Sequence, residues 1–139
     1  MQMERTLILV KPDAHARKLT GEIIARFERK GLGLAALKQM TVSRELAECQ
    51  YAEHAGKPFY DGLIAFITSG PLAAMVLEGE QAIEAARQVI GATDPLKASA
   101  GSIRGDYALA VRENLVHGSD SSASADREVG LFFPELGPS

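Results

Sequence analysis

The sequence predicts an α+β fold, a ferredoxin-like sandwich of the split βαβ kind in which helices cover a four-stranded antiparallel sheet. Four short apolar runs indicate strands, helical patterns lie between them, and the chain has no internal repeat. Its 139 residues are enough for a single domain with a sizeable core. A small doubly wound sheet is the alternative architecture for this order of elements.

Composition and charge exclude several classes of protein. The net charge is −3, so the chain lacks a basic footprint and we expect no stable complex with nucleic acid. No apolar run reaches membrane-spanning length, and residues 1–5 lack the layout of a signal peptide. Cys49 is the only cysteine, which rules out an internal disulfide framework. We therefore expect a cytoplasmic protein without membrane association.

The first half of the chain is expected to contain two strands and three helices. Residues 6–10 form a continuous apolar run, typical of a central strand buried on both faces. This strand ends at Lys11, because Pro12 blocks continuation as strand or helix, and ligand crevices open at such strand ends. The other segments are a helix from Thr20 to Gly31, a strand over 32–41, a helix from Ser43 to about Tyr51 in which Cys49 packs internally, a loop over 54–58 and a helix over 59–67.

The second half is expected to hold two strands around a long connection. Residues 91–106 carry three glycines and little periodicity, and a connection of that length is usually functional, although partial disorder would give the same composition. The remaining segments are a strand over 72–77, a helix over 81–90 with Arg87 at the edge of its apolar face, a short helix over 107–113, a short strand at Leu115-Val116 and a last helix over 122–131.

The segment from Asn114 to Ser121 is the predicted centre of the chemistry. His117 stands between an apolar pair and a Gly-Ser-Asp-Ser turn, at a strand-to-helix junction that holds the imidazole firmly and leaves one side open. A lone histidine at such a junction is more often a hydrogen-bonded structural residue. Its partners must therefore decide between the two interpretations.

Glu128 is the first candidate partner. Ala125, Val129 and Phe132 mark the buried stripe of the last helix, and Glu128 lies on that stripe. A carboxylate turned toward the core needs a partner, because unpaired burial costs several kcal/mol. If it accepts from one ring nitrogen of His117, it leaves the other nitrogen free as a nucleophile. The alternative is that Glu128 pairs with an arginine.

Cationic and neutral donors at element ends indicate what the imidazole could attack. Phosphoryl transfer needs dispersed positive donors around a trianionic centre, a requirement met by a nucleophilic histidine among lysine and arginines. Each arginine alone is more often a surface ion-pairing residue. The candidates are Lys11, Arg87 and Arg104, with Thr93 and Asn114 as neutral donors.

Other kinds of site find little support. Cys49 and His54 lack second partners for a zinc site, and no Gly-x-Ser-x-Gly elbow or phosphate-binding loop is present. The segment 31–36 matches the spacing of a dinucleotide fingerprint, but it follows a helix and opens a strand, the reverse of the required context. We interpret that match as accidental.

The ordered series of motifs resembles the nucleoside diphosphate kinases. Their active-site signature Asn-x-x-His-Gly-Ser-Asp-Ser stands here at residues 114–121, and the resemblance stays in register from about residue 4 to residue 133. It implies one catalytic domain over residues 1–139, with a tail at 134–139. The other matching segments are Lys11-Pro12-Asp13, Tyr51 with Lys57-Pro58-Phe59, residues 68–71, 91–95 and 101–106, and Arg127-Glu128.

The resemblance also implies a mechanism. A nucleoside triphosphate would pass its γ-phosphate to His117, with Glu128 and Ser119 orienting the ring or the phosphate, and a nucleoside diphosphate would then take it. Phe59 and Val111 would lie on the two faces of the base, which permits broad base specificity because every base has a π-face. Mg²⁺ would bind mainly through nucleotide phosphates rather than a protein cage. Phosphates and ribose would be held by Lys11, Tyr51, Arg87, Thr93, Arg104 and Asn114.

Several expectations stay open. Ala14-His15 departs from the usual family pattern near Lys11, where we interpret His15 as an exposed loop residue, and Glu113 adds a negative charge before Asn114. A nucleotide-binding regulatory module without turnover and a histidine phosphocarrier for a protein partner are the alternative functions. The family resemblance implies a homo-oligomer, either a hexamer or a tetramer.

Overall fold

The computed structural model describes residues 3–111 and 113–136 of the chain. In the described residues two helices separate each strand from the next, with single 3₁₀ turns at Ala52–His54 and Pro134–Leu136. The strands are Met3–Val10 (β1), Gly33–Met40 (β2), Leu72–Glu80 (β3) and Val116–Gly118 (β4). The helices are Pro12–Ala16 (α1), Thr20–Lys30 (α2), Arg44–Gln50 (α3), Tyr60–Ile67 (α4), Ala82–Ile90 (α5), Ile103–Tyr107 (α6) and Ser122–Phe132 (α7).

The strands form one sheet in the order β2-β3-β1-β4, and each neighbouring pair is antiparallel. The predicted α+β fold with a four-stranded antiparallel sheet is therefore confirmed, and the doubly wound alternative is wrong. β1 is central because residues 6–10 are buried on both faces, as their apolar run predicts. The short β4 pairs with the end of β1, so that Leu9 faces His117 across the ladder.

Two apolar layers hold the helices on opposite faces of the sheet. Ile8 and Val10 point toward α2 and α5, where they pack in one buried cluster that includes Phe27. Leu7 and Leu9 point the other way, into a second cluster with residues of α3, α4 and α7 that includes Phe132. The alternation of side chains along β1 produces this division. It also brings α7 against the same face as α3.

Five local predictions are wrong. His15 is a half-buried residue of α1, with its ring 2.7 Å from Thr20 Oγ1, and not an exposed loop residue. Pro12 does not prevent a helix, because it is the first residue of α1, where its missing N–H leaves no hydrogen bond unmade. The connection 91–106 contains the start of α6, whose cap is Ser102 Oγ accepting from Gly105 N at 3.1 Å. Of the helix expected over 107–113, Tyr107 ends α6 and the described residues 108–111 are not helical, since Ala108 is already extended; residue 112 lies outside the described residues. Cys49 is exposed instead of packed.

Within the described residues, 3–111 and 113–136, no helix is long and apolar enough to cross a bilayer.

Candidate functional site

The turn that leads into β4 is strained. The N–H of Val116 donates to the carbonyl of Asn114 at 2.9 Å, and Leu115 between them has φ +77°, the hydrogen bond and φ of a classic γ-turn. A branched side chain in the left-handed region is unfavourable unless the surroundings fix it. Here the N–H of Lys11 donates to the carbonyl of Leu115 at 2.9 Å, and both Asn114 and Leu115 are buried. The backbone immediately before His117 is therefore held in one conformation, which fixes the position of the histidine.

His117 and Glu128 form the predicted pair. Nε2 of the imidazole lies 2.8 Å from Oε1 of Glu128, and the hydroxyl of Ser119 donates to the same oxygen at 2.8 Å. Ser119 is itself fixed to β1, because the N–H of Leu7 donates to its Oγ at 3.2 Å. Glu128 is buried on α7 together with Ala125, which confirms that it lies on the buried stripe. The carboxylate therefore accepts from two oriented donors.

The carboxylate of Glu128 is held in its ionised form. Burial alone would raise its pKa, but the hydrogen bond and charge of His117 and the hydrogen bonds of Ser119 and Gln50 lower the pKa below its usual value. An ionised Glu128 accepts a proton-bearing Nε2, which leaves Nδ1 as the unprotonated nitrogen of a neutral ring. No residue in the described part of the chain hydrogen-bonds to that Nδ1. The geometry therefore distinguishes the two ring nitrogens.

Arg104 fixes the backbone on either side of the γ-turn. Its guanidinium donates to the carbonyls of Asn114 at 3.2 Å, Gly91 at 3.2 Å and Val116 at 2.6 Å. Burial, and then the nearby charge of Arg87, lower the pKa of Arg104 to about 10. The side chain remains a cation at neutral pH, and its guanidinium binds the carbonyl of Val116, the residue before His117.

Lys11 and Arg87 add two more positive groups. Nζ of Lys11 donates to Oδ1 of Asn114 at 2.9 Å, and Nη1 of Arg87 donates to the carbonyl of Gly118 at 3.2 Å. Burial, followed by the charge of Arg104, lowers the pKa of Lys11 to about 8, while Asp13 opposes the shift. Cations from α5, α6 and the residue between β1 and α1 thus lie around the β4 histidine, as an anionic ligand requires.

A cleft of about 250 Å³ exposes this chemistry to solvent. Burial, together with the charge of Glu128, raises the pKa of Tyr51 at its wall to about 12, so the hydroxyl stays protonated. Six predicted residues line the cleft, namely Tyr51, Arg87, Thr93, Arg104, His117 and Glu128. Five lining residues were not predicted, namely Gln50, Glu53, His54, Gly118 and Asp120.

The unpredicted residues had weak signals in the sequence. Gln50 and His54 flank Tyr51 within one helical turn, and a polar residue on the inner side of a helix end was the signal for Gln50. Asp120 belongs to the signature segment; its pKa is lowered by a hydrogen bond with Ser124 and, less strongly, by the charges of Arg87 and His117. The predicted residues Lys11, Asn114 and Ser119 do not line the cleft and instead support its floor.

The two predicted base contacts lie outside the cleft. Phe59 and Val111 are each about half exposed, at 50% and 53%. The ring of Phe59 is 5.3 Å from the ring of His54, which does line the cleft, so Phe59 stands at its mouth. Both residues expose apolar surface to solvent. The ring contact with His54 places Phe59 next to the cleft.

Comparisons with known proteins identify the family of the chain. The model of the family described as nucleoside diphosphate kinase matches residues 4–137. The chain belongs to the nucleoside diphosphate kinase family. The resemblance inferred from the motifs is thereby confirmed, and the chain is a phosphotransferase, as predicted.

Relatives match over nearly the whole chain. A nucleoside diphosphate kinase of Frankia casuarinae is 62% identical over 136 residues, which cover 98% of this chain and 99% of that protein. One from Mycobacterium bovis is 61% identical over 132 residues, or 94% of this chain and 97% of that protein.

Solved structures agree in fold. The nucleoside diphosphate kinase of Halobacterium salinarum, in complex with CDP, superimposes with a TM-score of 0.94 at 48% identity and covers 99% of this chain and 92% of its own. The apo enzyme of Encephalitozoon cuniculi gives a TM-score of 0.91 at 43% identity, covering 94% of this chain and 88% of its own. The ferredoxin-like arrangement predicted from the sequence is thus shared with enzymes of the family.

Proposed function

We propose that His117 carries the phosphoryl group in a ping-pong exchange between a nucleoside triphosphate, typically ATP, and a nucleoside diphosphate. The observation that carries this proposal is the 2.8 Å contact between His117 Nε2 and Glu128 in a cleft lined by Arg87 and Arg104. Because the proton stays on Nε2, the lone pair of Nδ1 is available as the nucleophile. Two arginines beside it suit a phosphate that gains charge on its transferring oxygens.

Each half-reaction exchanges one bond for another. In the first, the Nδ1 lone pair forms a bond to the γ-phosphorus, and the bond to the bridging oxygen breaks with its electrons remaining on the departing diphosphate. In the second, a terminal oxygen of the acceptor diphosphate attacks the phosphorus and the P–N bond breaks. His117 keeps its Nε2 proton throughout, and Glu128 stabilises the positive charge of the phosphorylated ring.

The surrounding residues are proposed to bind the nucleotide. Lys11, Arg87 and Arg104 would neutralise phosphate charge. Lys11 would do so from outside the cleft lining, where it donates to Asn114. Thr93 and Tyr51 would donate hydroxyl groups to phosphate or ribose. Phe59 would stack on the base, with Val111 opposite, and stacking without hydrogen-bond readout gives broad base specificity.

A divalent cation is a general requirement of this kinase family, and we propose that it is Mg²⁺. The cleft fits a metal that arrives on the nucleotide, because its cations attract phosphates and the carboxylate of Asp120 lies at its wall. In residues 3–111 and 113–136 no three His, Cys, Asp or Glu side chains are grouped as a metal cage. Mg²⁺ bound to phosphate oxygens would neutralise charge that develops during transfer.

The wider context is also proposed. We propose one catalytic domain over residues 1–139, with its core at about 4–133, that acts in the cytoplasm without stable nucleic-acid or membrane partners. A homo-oligomer, tetramer or hexamer, is supported by Leu34 and Leu37, which are exposed on the edge strand β2. Leu96 in the long connection is exposed as well. Native mass spectrometry measures the oligomer directly, and a monomer would contradict this part.

The decisive experiment is incubation with ATP labelled in the γ position and Mg²⁺, followed by trapping of an acid-labile phosphoprotein. We expect labelling of the wild-type chain, chase of the label into GTP on addition of GDP, and no labelling of His117→Gln. Full labelling of His117→Gln, or an unlabelled wild-type chain, contradicts the proposal. Nucleotide binding without exchange between ATP and GDP would instead favour a regulatory module.

A further inference from the structure

The C-terminal end of α3 packs against α7 beside the His117–Glu128 pair. Gln50, the last residue of α3, is only 3% exposed although its side chain is polar. Its amide nitrogen lies 3.4 Å from His117 Nε2, the atom that contacts Oε1 of Glu128 at 2.8 Å. A buried amide costs free energy unless its groups are paired, so this position needs an explanation.

Arg127 fixes the end of α3. Its guanidinium donates to the carbonyl of Cys49 at 3.0 Å and to that of Gln50 at 3.4 Å. These carbonyls belong to the last turn of a helix, and that of Cys49 also accepts a backbone N–H at the cap. Nη2 of Arg127 also lies 3.8 Å from Oε2 of Glu128. One side chain therefore lies between the backbone of Gln50 and the carboxylate of Glu128.

We propose that Gln50, anchored by Arg127, is a positioning residue for phosphoryl transfer, whose amide donates to Glu128 and directs the carboxylate at His117 Nε2. The inference rests on the proposed function, since it takes His117 as the nucleophile. Oε1 of Gln50 has no hydrogen-bond partner among the described residues, so the amide nitrogen is the end that serves the pair. Gln50 contributes a third donor beside His117 and Ser119.

The effect of this donor on protonation has a definite sign. A donor to Glu128 stabilises the ionised carboxylate, and its removal makes the coupled His117–Glu128 pair bind protons more tightly. As the pH is lowered, a variant without this donor therefore loses its nucleophilic form at a higher pH than the wild type does. The other charged or titratable groups that face the pair are Tyr51 after α3, Glu53 and His54 in the next turn, Arg87 in α5, Arg104 in α6, Asp120 before α7 and Arg127 in α7.

The test measures the rate at which saturating ATP and Mg²⁺ phosphorylate the enzyme as a function of pH. Gln50→Met has a similar length without a donor, and Gln50→Glu has the same shape with a negative charge. We expect Gln50→Met to be phosphorylated about tenfold more slowly, which is the scale of one hydrogen bond to a charged group. The acidic limb of its pH–rate profile should also lie at higher pH than that of the wild type. Gln50→Glu moves the limb further, because a second carboxylate raises the proton affinity of the pair.

Cys49→Ala is the matched control, since Cys49 is the exposed neighbour on the same helix and alanine keeps the carbonyl that Arg127 binds. It should leave both rate and limb unchanged. The KM for ATP should stay the same in both Gln50 variants, because Gln50 is proposed to act through Glu128. Should Gln50→Met not fold, Gln50→Glu decides by the same criteria.

Three results would overturn the inference. They are an unmoved acidic limb, a rise in KM at constant rate, and an effect of equal size in Cys49→Ala. The proposed function is checked separately by mapping the phosphate on the wild-type chain. Phosphate at His117 together with an unmoved limb in the Gln50 variants refutes the role of Gln50 alone, whereas phosphate at another residue refutes the proposed function itself.

Discussion

Arg104 donates to the carbonyl of Val116 at 2.6 Å, which joins a guanidinium of α6 to the residue immediately before His117. The same side chain also binds the carbonyls of Asn114 and Gly91. A positive group proposed to bind phosphate thus also fixes the strained turn that presents the histidine. Removing the Arg104 side chain would abolish both roles at once. A substitution that keeps its charge but not its shape separates the two roles.

Arg104→Lys keeps the charge and loses the planar fork that reaches three carbonyls. We expect the free energy of unfolding to fall by about 1–3 kcal/mol, because buried carbonyls lose their donor. Phosphorylation of His117 should slow as the γ-turn loosens. Thermal unfolding and labelling rates measure both effects. Arg29→Lys, at an exposed position of α2, is the control, and equal behaviour of the two variants would contradict this role.

Glu128→Gln tests how the carboxylate contributes to stability at different pH values. The folded-state pKa of Glu128 is lowered, so its contribution is present above the unfolded pKa and disappears as the pH falls through the folded value. The stability difference between wild type and Glu128→Gln should therefore be large at neutral pH and shrink as the pH falls below the ordinary pKa of a glutamate. Denaturant unfolding across this range measures it. A difference that is independent of pH would refute the ionised state of the carboxylate.

The lowered pKa of Lys11 predicts that activity declines at alkaline pH. Burial and then Arg104 lower its pKa to about 8, so in the free enzyme its charge is lost above that pH. We expect kcat/KM for ATP to decline above about pH 8, since kcat/KM reports the ionisation of the free enzyme. In Lys11→Arg the limb should move to higher pH, because an arginine keeps its proton. Lys30→Arg, at an exposed site, should retain the limb. An unchanged limb in Lys11→Arg would assign it to another group.

Arg26 is predicted to support the site from a distance. Its guanidinium binds Glu22 in α2, Asp106 in α6 and the carbonyl of Gly101, and so ties α2 to the helix that carries Arg104. In Arg26→Met we expect hydrogen exchange of residues 101–107 to accelerate by roughly tenfold, while exchange in β1 stays the same. Uniform acceleration in both segments would indicate global destabilisation rather than a local support.

Phe59 predicts a loss of affinity that is independent of the base. Stacking is worth about 1–3 kcal/mol per base, so Phe59→Ala should weaken binding of ADP, GDP, CDP and UDP by similar factors. Calorimetric titration of the four nucleotides measures the effect. Leu96→Ala removes an apolar side chain that is also exposed and should leave affinity unchanged. A strong effect on one base alone would mean that Phe59 takes part in base recognition.

Long-range features with strong patterns could be predicted from the sequence. The apolar run of residues 6–10 specifies a central strand, and the stripe of α7 places Glu128 where it meets His117. Both depend on burial, which a repeating pattern records directly. The candidate site followed from these two elements, and the family resemblance supplied the cleft residue Tyr51.

Features that depend on single tertiary contacts could not be predicted. α6 has only five residues, too few for a periodic pattern, and it starts from the Ser102 cap. The positive φ of Leu115 is an unfavourable local choice that hydrogen bonds from Lys11 and Arg104 stabilise. Gln50 became visible as part of the site only when α3 was placed against α7. For Leu115 and Gln50 the decisive partners, Lys11 and α7, are distant in the sequence.

The measurement that tests the central claim most directly is the position of the phosphate on the imidazole ring. The enzyme is phosphorylated with ATP and Mg²⁺, digested at alkaline pH, and the two phosphohistidine isomers are separated. Because Glu128 occupies Nε2 at 2.8 Å, we predict the Nδ1 isomer at residue 117 in the wild type and no phosphohistidine in His117→Gln. The Nε2 isomer, or phosphate that persists in His117→Gln, would contradict the account.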